Sequence, residues 1–149
     1  MPPASLVARA PESDTEWQAY YRLRWEVLRQ PWHQPRGSER DDFDDGREDV
    51  VHRMVFERES VWAVGRLHVC AEGVGQVRYM AVSSKRVGGG LGSIVLRALE
   101  SAAVNRGLNR IMLNAREGAV PFYRKHHYET TGAAAARYEI PHWVMEKQL

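Results

Sequence analysis

The chain has 149 residues, 44% hydrophobic and 27% charged, a balance that excludes a disordered chain and predicts one folded domain spanning 1–149. Its net charge of +2 comes from scattered basic residues, which excludes a basic stripe for nucleic acid. The lone Cys70 excludes an internal disulfide and any CxxC motif; with no leader-like start and no bilayer-length apolar run, the expectation is a cytoplasmic chain with no membrane partner.

In chain order, residues 6–10 read as a short strand. Ser13, with Glu16 three positions on, has the form of a capping box. Trp17, Tyr20, Tyr21, Leu23, Val27 and Leu28 then recur at helical spacing until Pro31 stops the run. Residues 39–49 carry seven acids against Arg40 and Arg47, and such a block predicts an exposed, solvated loop. An EF-hand fails there, because counting from Asp41 the third position is Phe43 and the twelfth is His52; no metal is expected. Residues 52–57, 61–69 and 76–82 read as strands joined by short polar turns, hence an antiparallel meander. A glycine turn at 88–92 follows. Leu91, Val95, Leu96, Leu99, Ala102 and Ala103 then lie on a helix that ends at Gly107, and residues 110–115 form a further strand, so one parallel crossover enters an otherwise antiparallel sheet. Pro121 opens a short helix bearing Phe122, Tyr123 and Lys125, and strands at 128–130 and 138–145 close a mixed α/β fold.

Four glycines among the five residues 88–92, between a strand and a helix, let backbone amides converge at the positive end of a helix dipole. That is an anion site, most naturally for phosphate. No Gly-Lys-Ser/Thr follows, and neither the Gly-x-Gly-x-x-Gly spacing nor its ribose-binding acid is met, so the P-loop and dinucleotide readings are weak.

The segment Tyr79-Met80-Ala81-Val82-Ser83, the turn Gly90-Leu91-Gly92-Ser93 and the helix after it resemble the coenzyme A motif of the GNAT acyltransferase superfamily. Ala119-Val120-Pro121-Phe122-Tyr123 resembles its A-x-x-F-Y signature, and Ile140-Pro141-His142-Trp143-Val144-Met145 is similar to the I-P-H-x-x-M ending of the ElaA-like branch. Leu23-Arg24 with Val27 is similar to the start of such proteins. The resemblance implies a splayed, mostly antiparallel sheet flanked by helices, with acetyl-CoA as acetyl donor in a V-shaped opening and a primary amine of a small molecule or peptide as acceptor. It implies that backbone amides near Met80, Ala81 and Val82 hold the thioester carbonyl and pantetheine arm. Those from Val87, Gly88, Gly89, Gly90, Leu91, Gly92 and Ser93 would hold the pyrophosphate, while Asn114 and Phe122 line the channel. Two departures stand out: Val87 occupies a position usually held by glutamine or arginine, with Arg86 displaced by one residue, and His127 replaces a common glycine.

Transfer needs a donor where the oxyanion develops, for which the amide near Met80 is suited. It also needs a proton for the departing thiolate. Tyr123 is the candidate acid, because a phenol of reference pKa about 10 stays protonated at neutral pH. No base stands out; Trp25, His52, Glu139 and His142 are the acceptor-pocket candidates. The acidic stretch would draw in a cationic amine, although solvation explains it equally well. Trp25, Trp32 and Trp143 read as core before pocket. A catalytically silent acyl-CoA-binding or sensing module is the alternative, a simple nucleotide-phosphate binder comes third, and a homodimer through a sheet edge is left open.

Overall fold

The computed structural model describes residues 6–149. The first strand is short, β1 (Ala8–Arg9), and helix α1 (Asp14–Leu28) follows it. Ser13 Oγ accepts the Glu16 amide at 3.1 Å, but the reciprocal half of the capping box is not made. Instead the Glu16 carboxylate accepts the Glu12 amide at 2.9 Å and the Arg9 guanidinium at 2.8 and 2.9 Å, so the helix start is tied back to β1.

The meander consists of β2 (Val50–Glu57), β3 (Ser60–Ala71) and β4 (Val74–Val82). Arg58 and Glu59, both left-handed with φ 53° and 64°, make the two-residue turn that suits the twist of a hairpin. Helix α2 (Leu91–Asn105) is followed by Gly107 at φ 77°, as its αL terminator. Then come β5 (Arg110–Arg116), α3 (Val120–Lys125), β6 (Glu129–Arg137) and β7 (Ile140–Gln148). The closing hairpin is longer than its sequence suggested, since the alanine run at 133–136 is strand. The sheet order is β1-β2-β3-β4-β5-β7-β6, with β4 and β5 the parallel pair, which is the mixed α/β, mostly antiparallel architecture expected.

Side-chain alternation divides the sheet into two faces. Under α2, Val51, Val55, Ala63, Leu67 and Val77 pack with Val95, Leu96, Leu99 and Ala103. Each buried leucine contributes about 2 kcal/mol there. Under α1, Tyr20, Tyr21 and Leu23 meet Met54, Val64 and Ala81, and that face also buries charge. Arg24 Nη1 donates to both Asp44 oxygens at 3.1 and 3.0 Å and to the Glu39 carbonyl at 3.0 Å, while its Nη2 donates to the Tyr20 hydroxyl at 3.0 Å. Arg66 donates to Asp44 and Asp41, and Arg78 donates to Asp41 at 3.0 Å. The acidic stretch is therefore solvated only in part, with Asp42, Asp45 and Glu48 exposed. Asp44 and Glu39 are buried, because the loop folds over α1's face, where Asp41 and Asp44 supply carboxylates to guanidiniums that would otherwise be buried unpaired, while the Glu39 carboxylate accepts the Gly37 amide.

Two irregularities open a cleft. The parallel ladder holds for three residue pairs only, from Val74↔Arg110 to Gln76↔Met112, and beyond it β4 and β5 part. In β4, the register against β3 shifts between Arg66↔Arg78 and Val64↔Ala81, with Tyr79 left-handed at φ 59°. This is a β-bulge, and it leaves Met80 without a ladder partner. Gly65 lies opposite, where a Cβ would come within 2.5 Å of Met80 Sδ and 2.8 Å of Val95 Cγ1, so glycine there leaves room for the Met80 side chain beneath α2.

Candidate active site

The parting strands border a cleft of about 690 Å³. One wall is β4 from Gln76 to Val82, the other is Asn114, Ala115 and Arg116 of β5; α3 adds Phe122 and Tyr123, and the hairpin β6–β7 adds Tyr138, Ile140 and His142. The end of α1 and Trp32 complete it, with Trp32 stacked on Tyr138 at a centroid distance of 5.2 Å. Trp32 is thus a pocket residue rather than core.

At one end stands the glycine turn. Gly88 and Gly90 are left-handed at φ 85° and 76°, and the space where their side chains would lie is open. Gly90 starts α2 with no side-chain cap, so the first-turn amides of Leu91, Gly92 and Ser93 have no acceptor within the helix. Gly92 sits where a Cβ would touch Phe122 and Val82 at 3.4 Å, which ties the turn to the cleft wall. The Leu91 side chain is buried in the core, anchoring the turn. Ser93 Oγ is 2.8 Å from His126 Nε2. Arg86 donates to Glu57 at 3.1 Å, so it does not stand in for the side-chain donor missing at the exposed Val87.

Tyr123 is largely buried, its ring edge-on to Phe122 and Tyr128. Its hydroxyl has no hydrogen-bond partner among the described residues. Burial pushes its pKa well up, opposed only in part by the Arg116 charge, so the phenol keeps its proton.

Of the expected site residues, Met80, Ala81, Val82, Val87, Gly92, Asn114, Phe122, Tyr123 and His142 line this cleft together. Three acceptor-pocket candidates do not. Trp25 donates from Nε1 to the Gln34 carbonyl at 2.9 Å, beneath Arg36. Glu139 is exposed in the β6–β7 turn. His52 Nδ1 is 2.8 Å from the Tyr20 hydroxyl on the α1 face, and it borders a separate groove of about 1150 Å³. That larger groove holds neither Tyr123, Asn114 nor the glycine turn, so the smaller cleft is the candidate. Four lining arginines, Arg29, Arg78, Arg116 and Arg137, have no signature in the sequence; they are far apart along the chain, and only the strand splay and the hairpin bring them together. Among the described residues no cluster of metal-ligating side chains occurs, and no helix is long and apolar enough to cross a membrane.

The structure is similar to an acyl-CoA N-acyltransferase from Pseudomonas aeruginosa, at 24% identity over 96% of this chain and 99% of that one, with a TM-score of 0.77. It is also similar to Escherichia coli ElaA, at 16% identity over 96% and 99%, TM-score 0.81. A third likeness is to an aminoglycoside 6'-N-acetyltransferase complexed with coenzyme A, at 14% identity over 97% of both chains, TM-score 0.81. At such identities these likenesses establish the fold. Membership rests on the family model described as acetyltransferase (GNAT) family, which matches residues 17–128, a span running from α1 through the bulged strand, the glycine turn and α3: the chain belongs to the GNAT acetyltransferase family.

Proposed function

We propose that the protein is an N-acetyltransferase that moves the acetyl group of acetyl-CoA to a primary amine of a small molecule or peptide. The observation that carries this reading is the convergence, in one cleft, of a protonated Tyr123 without a protein partner, the unpaired bulge at Met80 and the open glycine turn. The residues present fit the donor: first-turn amides of α2 have no cap, no side chain fills the space beside Gly88 and Gly90, and the cleft has the volume of a small-molecule site. Because Arg86 is engaged by Glu57, the pyrophosphate would rest on backbone amides alone. Acetyl-CoA supplies an activated thioester. The Met80 amide is suited to the oxyanion that develops when an amine adds to it, and the Tyr123 hydroxyl hands its proton to the departing thiolate.

For the proton released by the amine, the geometry supports His142 over His52 and Glu139. Its Nδ1 lies 2.8 Å from the Ile140 carbonyl. A carbonyl can only accept, so Nδ1 carries the hydrogen and Nε2 keeps the lone pair.

Calorimetric titration with acetyl-CoA, coenzyme A and ATP tests the donor, and thiol release tests the transfer. Tyr123→Phe should lower turnover at least tenfold with acetyl-CoA affinity unchanged. Turnover equal to that of the unaltered protein removes Tyr123 from the role. A second reading, a catalytically silent acyl-CoA-binding module, is favoured by the missing donor at Val87 and predicts binding with no thiol release from any amine.

A further inference from the structure

The cleft's charge is one-sided. Its lining includes Arg29, Arg78, Arg116, Arg137 and His142 and no aspartate or glutamate. The one carboxylate paired to a lining arginine, Asp41 on Arg78, is shared: Asp41 and Asp44 together face three guanidiniums, those of Arg24, Arg66 and Arg78, so the network that reaches the cleft at Arg78 carries an excess positive charge. Arg29 gives its Nε and Nη1 to the Ser38 and Leu28 carbonyls at 3.0 and 2.9 Å, which fixes the guanidinium without neutralising it. Arg137 is in no ion pair among the described residues. Burial of Arg78 lowers its pKa, and the charge of Arg137 adds to that effect, as two cations brought together in a partly dry space would.

These arginines are not at the phosphate end. Arg78 is ten positions before Gly88, with its bulge neighbour Tyr79 on the face turned toward α1; Arg29 closes α1, and Arg137 stands at the β6–β7 turn. Arg137 is held over the cleft by Tyr138 and Glu139, both left-handed at φ 52° and 62°, the geometry of a tight two-residue hairpin turn. Trp32 and Tyr138, stacked beside Arg29, Arg78 and Arg137 in the lining, offer an apolar wall.

We propose that the acceptor is an amine that also carries a carboxylate, with Arg78 and Arg137 pairing to the carboxylate and the Trp32–Tyr138 wall bearing its apolar part. Guanidinium and carboxylate match in shape as well as charge. A polycation such as an aminoglycoside or polyamine would add repulsion to a cleft that has no acid to receive it. This assignment rests on the proposed acetyl transfer, and it reverses the cationic acceptor suggested by the acidic stretch, none of whose acids lines the cleft.

Thiol release from acetyl-CoA is to be measured with L-phenylalanine against its amide, with L-glutamate against its diamide, and with spermidine. At least one carboxylate form should be used with a kcat/KM tenfold or more above its amide and above spermidine. Arg137→Glu should erase that ratio while calorimetry gives the same acetyl-CoA affinity within about twofold. Amides or spermidine used as well as the carboxylates, or spermidine turned over while no carboxylate is, overturns the acceptor assignment alone, whereas acetyl-CoA binding with no thiol release from any amine is the outcome of the silent module and overturns the proposed transfer as well. Failure to bind acetyl-CoA overturns the proposed function and this inference with it.

Discussion

Under α2 the sheet is sealed by Val95, Leu96 and Leu99, none of them exposed, whereas under α1 it seals Arg24, Arg66 and Asp44 beside Tyr20. The first face is held by many interchangeable contacts, each modest and non-directional. The second depends on a few groups with fixed partners. Tyr79 shows how tightly, for its ring takes Arg24, Arg66 and Arg78 at 4.3, 4.8 and 4.6 Å from the ring centre, and Arg24 Nε and Arg66 Nε remain buried with no acceptor. Such a face gains definition rather than surplus stability, and the cleft is built on its edge.

The contrast can be broken most sharply at Asp44. Asp44→Ala would leave Arg24 without its carboxylate and Arg66 with Asp41 alone, and should cost about 3–5 kcal/mol in denaturant unfolding. Adding Arg24→Met should cost less than the sum of the two single changes; strict additivity would mean that the pair does not act as a unit. Next in size, Leu99→Ala should cost about 3 kcal/mol through the cavity it leaves, with acceptor preference unaltered, since nothing under α2 reaches the arginines of the cleft.

The smallest effect is the one that depends on pH. Burial, reinforced by Arg24 at His52 and by Arg66 at His68, lowers both histidines to about 4. Their unfolded pKa is about 6.5, so as the medium is acidified the unfolded chain takes up these protons first. The stabilisation is complete above about pH 6.5 and is lost on the way down to about 4, at roughly 2 kcal/mol per histidine by pH 5. Burial works against Asp41 as well, but Arg66 holds it down to about 2, so it stays charged across that window. His52→Gln should flatten the fall in melting temperature between pH 7 and 5 relative to the unaltered protein. An equally steep fall would place the titration elsewhere.

The same contrast decides what could be read in advance. Helix α2, the meander, the crossover and Gly107 follow local rules of period and turn, and the glycine turn and the Phe122-Tyr123 pair lie in short motifs, so all of these were legible. The α1 face was not. Arg24 meets Asp44 across 20 positions, Arg66 meets Asp41 across 25, and Arg78 meets Asp41 across 37, and no local pattern distinguishes a carboxylate bound for a buried arginine from one bound for water. The pairing Asp41–Asp44 does leave one trace, a reciprocal cap in which Asp41 accepts the Phe43 amide at 3.0 Å and Asp44 accepts the Asp41 amide at 2.9 Å; its short spacing is masked by the acids around it. His52 lies outside the cleft for a related reason: a strand residue's face depends on register.

The bulge in β4 acts as a shift of reading frame. Before it, odd-numbered Gly75 and Val77 look toward α2; after it, even-numbered Met80 and Val82 do, and Ala81 joins the opposite face. One added residue therefore lets a single strand keep its apolar side chains under α2 at both ends while presenting Arg78 and Tyr79 consecutively on the other face. Deleting that residue would leave the composition of the strand almost untouched, yet it would force a choice: the Met80 end of the strand or the Arg78 end could keep its proper face, but not both. The two halves of the cleft are thus held in phase by one backbone irregularity, and it is there, more than at any side chain, that the chain is least free to lose a position.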